Sequence, residues 1–328
     1  MLKKTYCKFI KAYSTLEMSF AIAIISILFV GVYEGINIYR ETIISRSQSL
    51  TQSSIINRIP SLLSWYETSL PNSFLPKENS DNNSVSKWLD NSSSKIQKDN
   101  AYGGQKYFNN KFNFESNPTV NSSGPLFVGR GINNLPALKF DNSSTKSQFL
   151  VVDPQIKLSD TNFSIYMVIK FDNKNVNATI LDRVCFASNN EVTDQEASGI
   201  EACKSNISLK INNLNKIEFS ITNSSNQSAQ LSSIDSLDLK YAHLIAVERN
   251  FNNNLNLFID GKLSATQDEN LGSLSSLPLK FGRSAFASNL EYNFNIGEII
   301  IFEDVLLPKF RIEVENYLSR KFSINLNR

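Results

Sequence analysis

One carboxylate, Glu17, stands at the head of an apolar run from Met18 to Tyr33, behind a leader that carries Lys3, Lys4, Lys8 and Lys11. An acid on a membrane-length helix costs a few kcal/mol, so it calls for a hydrogen-bonding or cationic partner and reads as functional. Two of the three cysteines, Cys185 and Cys203, flank the polar stretch FASNNEVTDQEASGIEA, which reads as a loop; Cys7 lies in the leader. In an oxidising compartment a disulfide closing that loop would contribute roughly 2 to 4 kcal/mol, with two unpaired thiols as the alternative. Zinc is disfavoured, because His243 is the only histidine and no CxxC spacing occurs. Hydrolysis of a glycoside needs two carboxylates facing each other across a groove, and Glu298 stands alone before Ile299-Ile300-Ile301. There is no G-x-S-x-G and no phosphate-binding glycine loop, so the expectation is that the chain is not an enzyme.

The elements that position these residues fall into two kinds. With Tyr13 to Leu16 before it and Ile36 to Ile38 after it, the apolar run reaches the roughly 20 residues of a membrane span. Helical spacing continues through Ile36, Ile43, Leu50, Ile55, Ile59, Leu62 and Tyr66, which predicts a helix over 13–69 with its membrane part at about 13–38 and a kink or end at Pro60. A Pro- and Asn-rich linker is expected at 70–84. From about Val85 short strand-like runs, among them FSIYMVIKF, KIEFSI, HLIAVER, LNLFIDG and NIGEIIIF, alternate with Asn, Ser, Asp and Gly clusters. Such runs without intervening helices predict an antiparallel β-sandwich of the jelly-roll kind. The one later helical signal runs from Leu307 through Pro308 to about Phe322. The fold class is therefore mainly β, with a long N-terminal membrane-spanning helix and a short C-terminal helix. With 33 Lys and Arg against 31 Asp and Glu, and no basic stripe, nucleic acid is not an expected partner.

The N-terminal pattern resembles the type IV prepilin signal. There a peptidase cuts on the cytoplasmic side before an aromatic residue and leaves the apolar helix on the mature protein. The resemblance implies a leader over 1–12, a cut between Ala12 and Tyr13, N-methylation at Tyr13, and Glu17 as the assembly residue that pairs with the amine of a neighbouring subunit. The family has Gly before the cut where this chain has Ala12. Over 85–328 the chain is similar to laminin-G-like, concanavalin A-like jelly rolls, through Trp88-Leu89-Asp90-Asn91-Ser92, Gly131 to Asn142, the hairpin around Tyr241 to Lys262, and Ile296 to Phe302 followed by a helix. Relatives of that fold sometimes hold calcium at one rim, for which Asp141, Asp153, Asp172, Asp182 and Asp260 are available without a spacing that singles out a site. No other cofactor is expected. Trp88 reads as a core anchor, His243 as structural, and Asp260-Gly261 as a tight hairpin turn.

Together these resemblances imply a minor pilin or pseudopilin with a binding head. Its partners would be a prepilin peptidase, other pilin subunits, the membrane, and a glycan or surface protein. Its location would be the bacterial inner membrane with the head outside the cytoplasm, or a pilus. Two alternatives stand beside it: an anchored glycan- or protein-binding protein that never polymerises, and an anchored carbohydrate-active enzyme.

Overall fold

The computed structural model describes residues 14–93, 100–103, 121–142, 146–153, 162–172, 177–183, 207–223, 225–250, 252, 254–272, 274, 279–282 and 292–328. The chain divides into two compact units, residues 1–46 and 47–328. Helix α1 (Thr15–Ser53) spans the division. It opens on a capping box: the Ser14 hydroxyl accepts the Leu16 N–H (3.1 Å), and the Glu17 carboxylate reaches back to the Ser14 N–H (2.9 Å). Its most apolar 18-residue window has a mean hydropathy of 2.2 and no buried residue. Leu16, Phe20, Ile27 and Phe29 are each more than 60 % exposed, so these side chains have no protein core to fill.

The last turns of α1 belong to the second unit. Ser47 and Thr51 are buried there, and the Gln48 side chain donates to the Ser69 carbonyl (2.9 Å). The predicted helix over 13–69 is too long. It stops at Ser53, a short 3-10 turn follows at Ile56–Arg58, and β1 (Leu62–Glu67) is a strand with all six residues buried. Spacings of three and four among Ile55, Ile59, Leu62 and Tyr66 fit a helix by pattern alone. Pro60 interrupts the ladder, and the aromatic Trp65-Tyr66 pair finds a partner strand that local pattern does not reveal. Residues 70–84 are likewise more than a linker. Ser73 and Phe74 are buried, Phe74 bridges to Trp88, and Ser84 bridges to Leu126.

Two sheets form the sandwich. The first runs β15 (Lys262–Asp268), β14 (Asn254–Ile259), β13 (His243–Arg249), β8 (Phe163–Phe171), β17 (Tyr292–Phe302), β6 (Leu135–Asn142), β5 (Leu126–Ile132). The second runs β12 (Ser228–Ser232), β11 (Ile217–Thr222), β10 (Ile207–Ile211), β9 (Ala178–Arg183), β16 (Leu279–Gly282), β7 (Lys146–Asp153), β3 (Asn100–Gly103), β2 (Lys87–Trp88). All these pairings are antiparallel; β4 (Asn121–Ser123) alone lies parallel, on β7. β17 serves two partners along one edge, with Tyr292 to Ile296 on β6 and Glu298 to Phe302 on β1. The predicted Asp260-Gly261 turn is present, with φ of 51° and 80°. Asn133-Asn134 makes a similar turn between β5 and β6, with φ of 48° and 66°.

A bulge at Gly297 decides which way β17 faces. Without it, Phe294, Ile296 and Glu298 would share a face, and an acid would point between the sheets. The extra residue flips the alternation, so Phe294, Ile296, Ile299 and Ile301 all enter the core and Glu298 turns outward. Helix α2 (Pro308–Phe322) packs on that outer side, and a Cβ at position 297 would lie 2.5 Å from the Phe322 ring. Strand β8 is consequently buried on both faces, which hides the alternation expected of a half-exposed strand.

Candidate functional site

The most concentrated chemistry lies outside the sandwich core, where β1, β17 and α2 meet. Lys321 Nζ sits 2.7 Å from Glu67 Oε2 and 2.8 Å from Glu298 Oε2. The Trp65 indole N–H and the Tyr317 hydroxyl donate to Glu298 Oε1 at 2.6 and 2.8 Å. Ser69 and Ser73 donate their hydroxyls to Glu67 at 2.6 and 2.7 Å, and Thr51 of α1 reaches Tyr317 at 3.1 Å. Glu298 therefore does not stand alone, as its sequence context predicts. It shares a lysine with a second carboxylate contributed by a strand that the sequence pattern reads as helix.

Burial resists ionisation of Glu67, yet Lys321 and the serine hydroxyls outweigh it and hold the carboxyl below the usual range. For Glu298 burial dominates. With the Glu67 charge nearby, it holds this carboxyl above the usual range despite Lys321 and Trp65. Burial also opposes the Lys321 charge, but the two glutamates overcome it and hold the ammonium above its ordinary value. Two carboxylates bridged by an acid-base partner resemble a catalytic pair, but Glu67 and Glu298 are both 0 % exposed. Every oxygen already accepts a hydrogen bond, so this cluster works as a staple between the two ends of the head and offers a substrate no approach.

The open chemistry is at one rim of the sandwich, on the segment between β12 and β13. Two cavities of about 680 and 640 Å³ meet at Leu237 and Asp238. The first is lined by Asp235, Asp238, His243, Asp260, Lys262 and Arg328 among others, the second by Lys170, Asp172, Asn215 and Lys240. His243 is doubly held, with Nδ1 2.8 Å from Asp260 Oδ2 and Nε2 3.0 Å from the Asp238 carbonyl. Burial opposes its charge, but Asp260 and Asp238 outweigh that and raise its pKa above 6.5. Asp235, Lys170, Lys240 and Lys262 form no ion pair among the described residues. The Asn215 side-chain oxygen is buried without a donor there. Ile234 and Tyr241 add exposed apolar surface on the same ridge.

The other sequence-predicted positions are dispersed. Trp88 is fully buried, donates its indole N–H to the Glu67 carbonyl (2.8 Å) and stacks on Phe74. Asp260 is engaged by His243 and the Leu244 N–H, and Asp172 by Lys139 (3.3 Å) and Asn295 (2.8 Å). Asp182 is buried on β9, and Asp141 lies on β6. No group of three or more His, Cys, Asp or Glu side chains converges into a metal site among the described residues. Ala12, Tyr13, Cys185, Cys203 and the Asp153 side chain lie outside the described residues. Sequence reasoning passed over Lys321, whose signal was a cation beside Leu318 and Phe322 on the buried stripe of α2. It also passed over Ser14, whose Ser-x-x-Glu spacing announces the capping box.

Residues 143–309 match the family model described as the concanavalin A-like lectin/glucanases superfamily. Among solved structures the fold is similar to the botulinum neurotoxin serotype G binding domain, at 14 % identity and TM-score 0.51 over 79 % of this chain and 51 % of that one. It is also similar to the botulinum neurotoxin serotype D/C binding domain, at 17 % identity and TM-score 0.50 over 80 % and 53 %. The binding domain of Paraclostridial Mosquitocidal Protein 1 aligns at 10 % identity and TM-score 0.50 over 79 % and 52 %. In each case the match spans about half of the solved chain, and at these identities the likeness is one of fold. A search of curated proteins returns no match. By the family match over half its length, the chain belongs to the concanavalin A-like lectin/glucanases superfamily.

Proposed function

We propose that the chain is a minor pilin or pseudopilin, assembled through its N-terminal helix and displaying a lectin-like head whose rim binds a glycan or surface protein. The observation that carries this reading is the state of α1. Its apolar window is wholly unburied, and Glu17 is the single charge from Thr15 to Tyr33. A helix of that kind belongs in a membrane or in the core of a filament. Cleavage before Tyr13 would free an amine beside Ser14, next to the carboxylate that already reaches back to the helix start. Prepilin peptidase, neighbouring pilin subunits and the membrane are then the partners of the helix, and the head lies outside the cytoplasm.

Co-expression with a prepilin peptidase followed by mass mapping of the N-terminus tests this. The expected product starts at N-methylated Tyr13, and Ala12→Gly should raise the cleaved fraction. A protein that keeps Met1 under these conditions overturns the pilin reading. One observation favours the plain membrane anchor: the capping box gives Glu17 a partner inside its own helix, so no second subunit is needed to satisfy it. That alternative predicts an uncut N-terminus and indifference to Glu17→Ala.

A further inference from the structure

We propose that His243 is a proton-operated latch on the ridge that separates the two rim cavities. It is the only histidine in the chain. Its ring nitrogens face the Asp260 carboxylate at 2.8 Å and the Asp238 carbonyl at 3.0 Å. Both oxygens can only accept, so both nitrogens must carry hydrogen and the pocket selects the imidazolium. Loss of one proton leaves a single N–H between two acceptors. Asp260 retains it, because that carboxylate is fixed by the Leu244 N–H (2.8 Å), and the Asp260 N–H donates in turn to the Leu244 carbonyl (2.8 Å). The Nε2 lone pair then points at the Asp238 carbonyl, and an attraction becomes a repulsion.

The ridge is the weaker side of that contact. Its ties to the rest of the head are the Leu237 N–H on the Asn215 carbonyl (2.8 Å), the Ile234 N–H on Ser264 (3.2 Å) and, at its base, the exchange between Ser233 and Ile217 (2.8 and 3.1 Å). The Ser233 hydroxyl on the Asp235 carbonyl (2.8 Å), the Tyr241 N–H on the Asp238 carbonyl (3.1 Å) and the Lys240 N–H on the Asp238 carboxylate (3.1 Å) lie within the ridge and move with it. Asp238 lines both cavities, so its displacement reshapes both. Other charges facing this corner are Asp235, Lys240 and the Asp238 carboxylate on the ridge, Lys262 on β15, Lys170 on β8, Asp172 just after it, and Arg328 on the C-terminal tail, where Glu315 pairs with it at 3.1 Å.

The folded state raises the pKa of His243, through Asp260 and Asp238 against burial. The stability contributed by the latch is therefore fully present below the unfolded value of about 6.5 and is lost as pH rises through the higher folded value. The latch is a property of the head itself. Only its effect on ligand affinity rests on reading the rim as the ligand face.

The full chain in detergent micelles, labelled at histidine, gives one imidazole signal to titrate by NMR. Hydrogen exchange of a peptide covering 233–243, corrected for intrinsic rates, reports the ridge. The expected result is a midpoint above 6.5, with ridge exchange rising about tenfold across that same midpoint and flat in His243→Gln. A midpoint at or below 6.5, ridge exchange unchanged across the midpoint, or a pH response retained in His243→Gln overturns the latch. Absence of glycan or protein binding at every pH would instead overturn the ligand reading and leave the latch standing.

Discussion

Replacing Lys321 with Ala should lower the stability of the head by about 3 to 5 kcal/mol, the cost of leaving a buried charge without its partner. Lys321 bridges Glu67 and Glu298, and removing it leaves two carboxylates facing one another with no cation between them. Relief then comes through protonation, first at Glu298, which burial already holds above the usual range. The variant should therefore recover part of its stability as pH falls toward 5, and by more than the parent gains, because loss of Lys321 removes a cation that lowers the Glu298 carboxyl. Chemical denaturation of residues 47–328 at two pH values measures both effects. A loss below about 1 kcal/mol, typical of an exposed pair, would mean that the staple is not sealed. Lys321→Met would be tolerated better only if both acids were made neutral with it, since a fully apolar replacement of a buried pair is often neutral.

Deleting β1 should be worse. A head that starts at residue 78, inside the expected linker, keeps all of the expected head over 85–328, but it discards Leu62, Leu63, Trp65 and Tyr66, each no more than 3 % exposed. Burial of such side chains contributes roughly 1.5 to 3 kcal/mol apiece. Four of them are comparable with the whole stability of a domain, about 5 to 15 kcal/mol. The cut also strips the partner from Glu298 to Phe302 of β17 and exposes a hydrophobic edge ready to pair with another chain. Residues 47–328 should be soluble and melt cooperatively, whereas 78–328 should aggregate or lack cooperative unfolding. Equal solubility and melting of the two pieces would contradict the role given to β1.

These two predictions mark where the sequence is legible and where it is not. Strands such as FSIYMVIKF, the Asp260-Gly261 turn and the closing NIGEIIIF stretch carry local signals strong enough to define the sandwich, and Trp88 reads correctly as a core residue. The Lys321 staple does not read, because Lys321 and Glu67 are 254 positions apart and Thr51 and Tyr317 are 266 apart. It exists only once the Gly297 bulge turns Glu298 outward. β1 misleads for a related reason: with both faces buried it loses the two-residue alternation, and its apolar spacing then imitates a helix. At the rim, His243 is visible as a lone histidine and its carboxylate partner as a turn residue. That the Asp238 carbonyl completes the arrangement depends on the path of the ridge, which no side-chain pattern encodes.

The proposal of assembly through α1 stands or falls on where the mature protein resides. Filaments sheared from cells producing the chain, and separated from membranes, should contain the head with N-methyl-Tyr13 as its first residue. A Glu17→Ala form should remain in the membrane fraction. Finding the wild type only in membranes, with Met1 intact and no difference from Glu17→Ala, would contradict the account and leave a membrane-anchored lectin-like protein in its place.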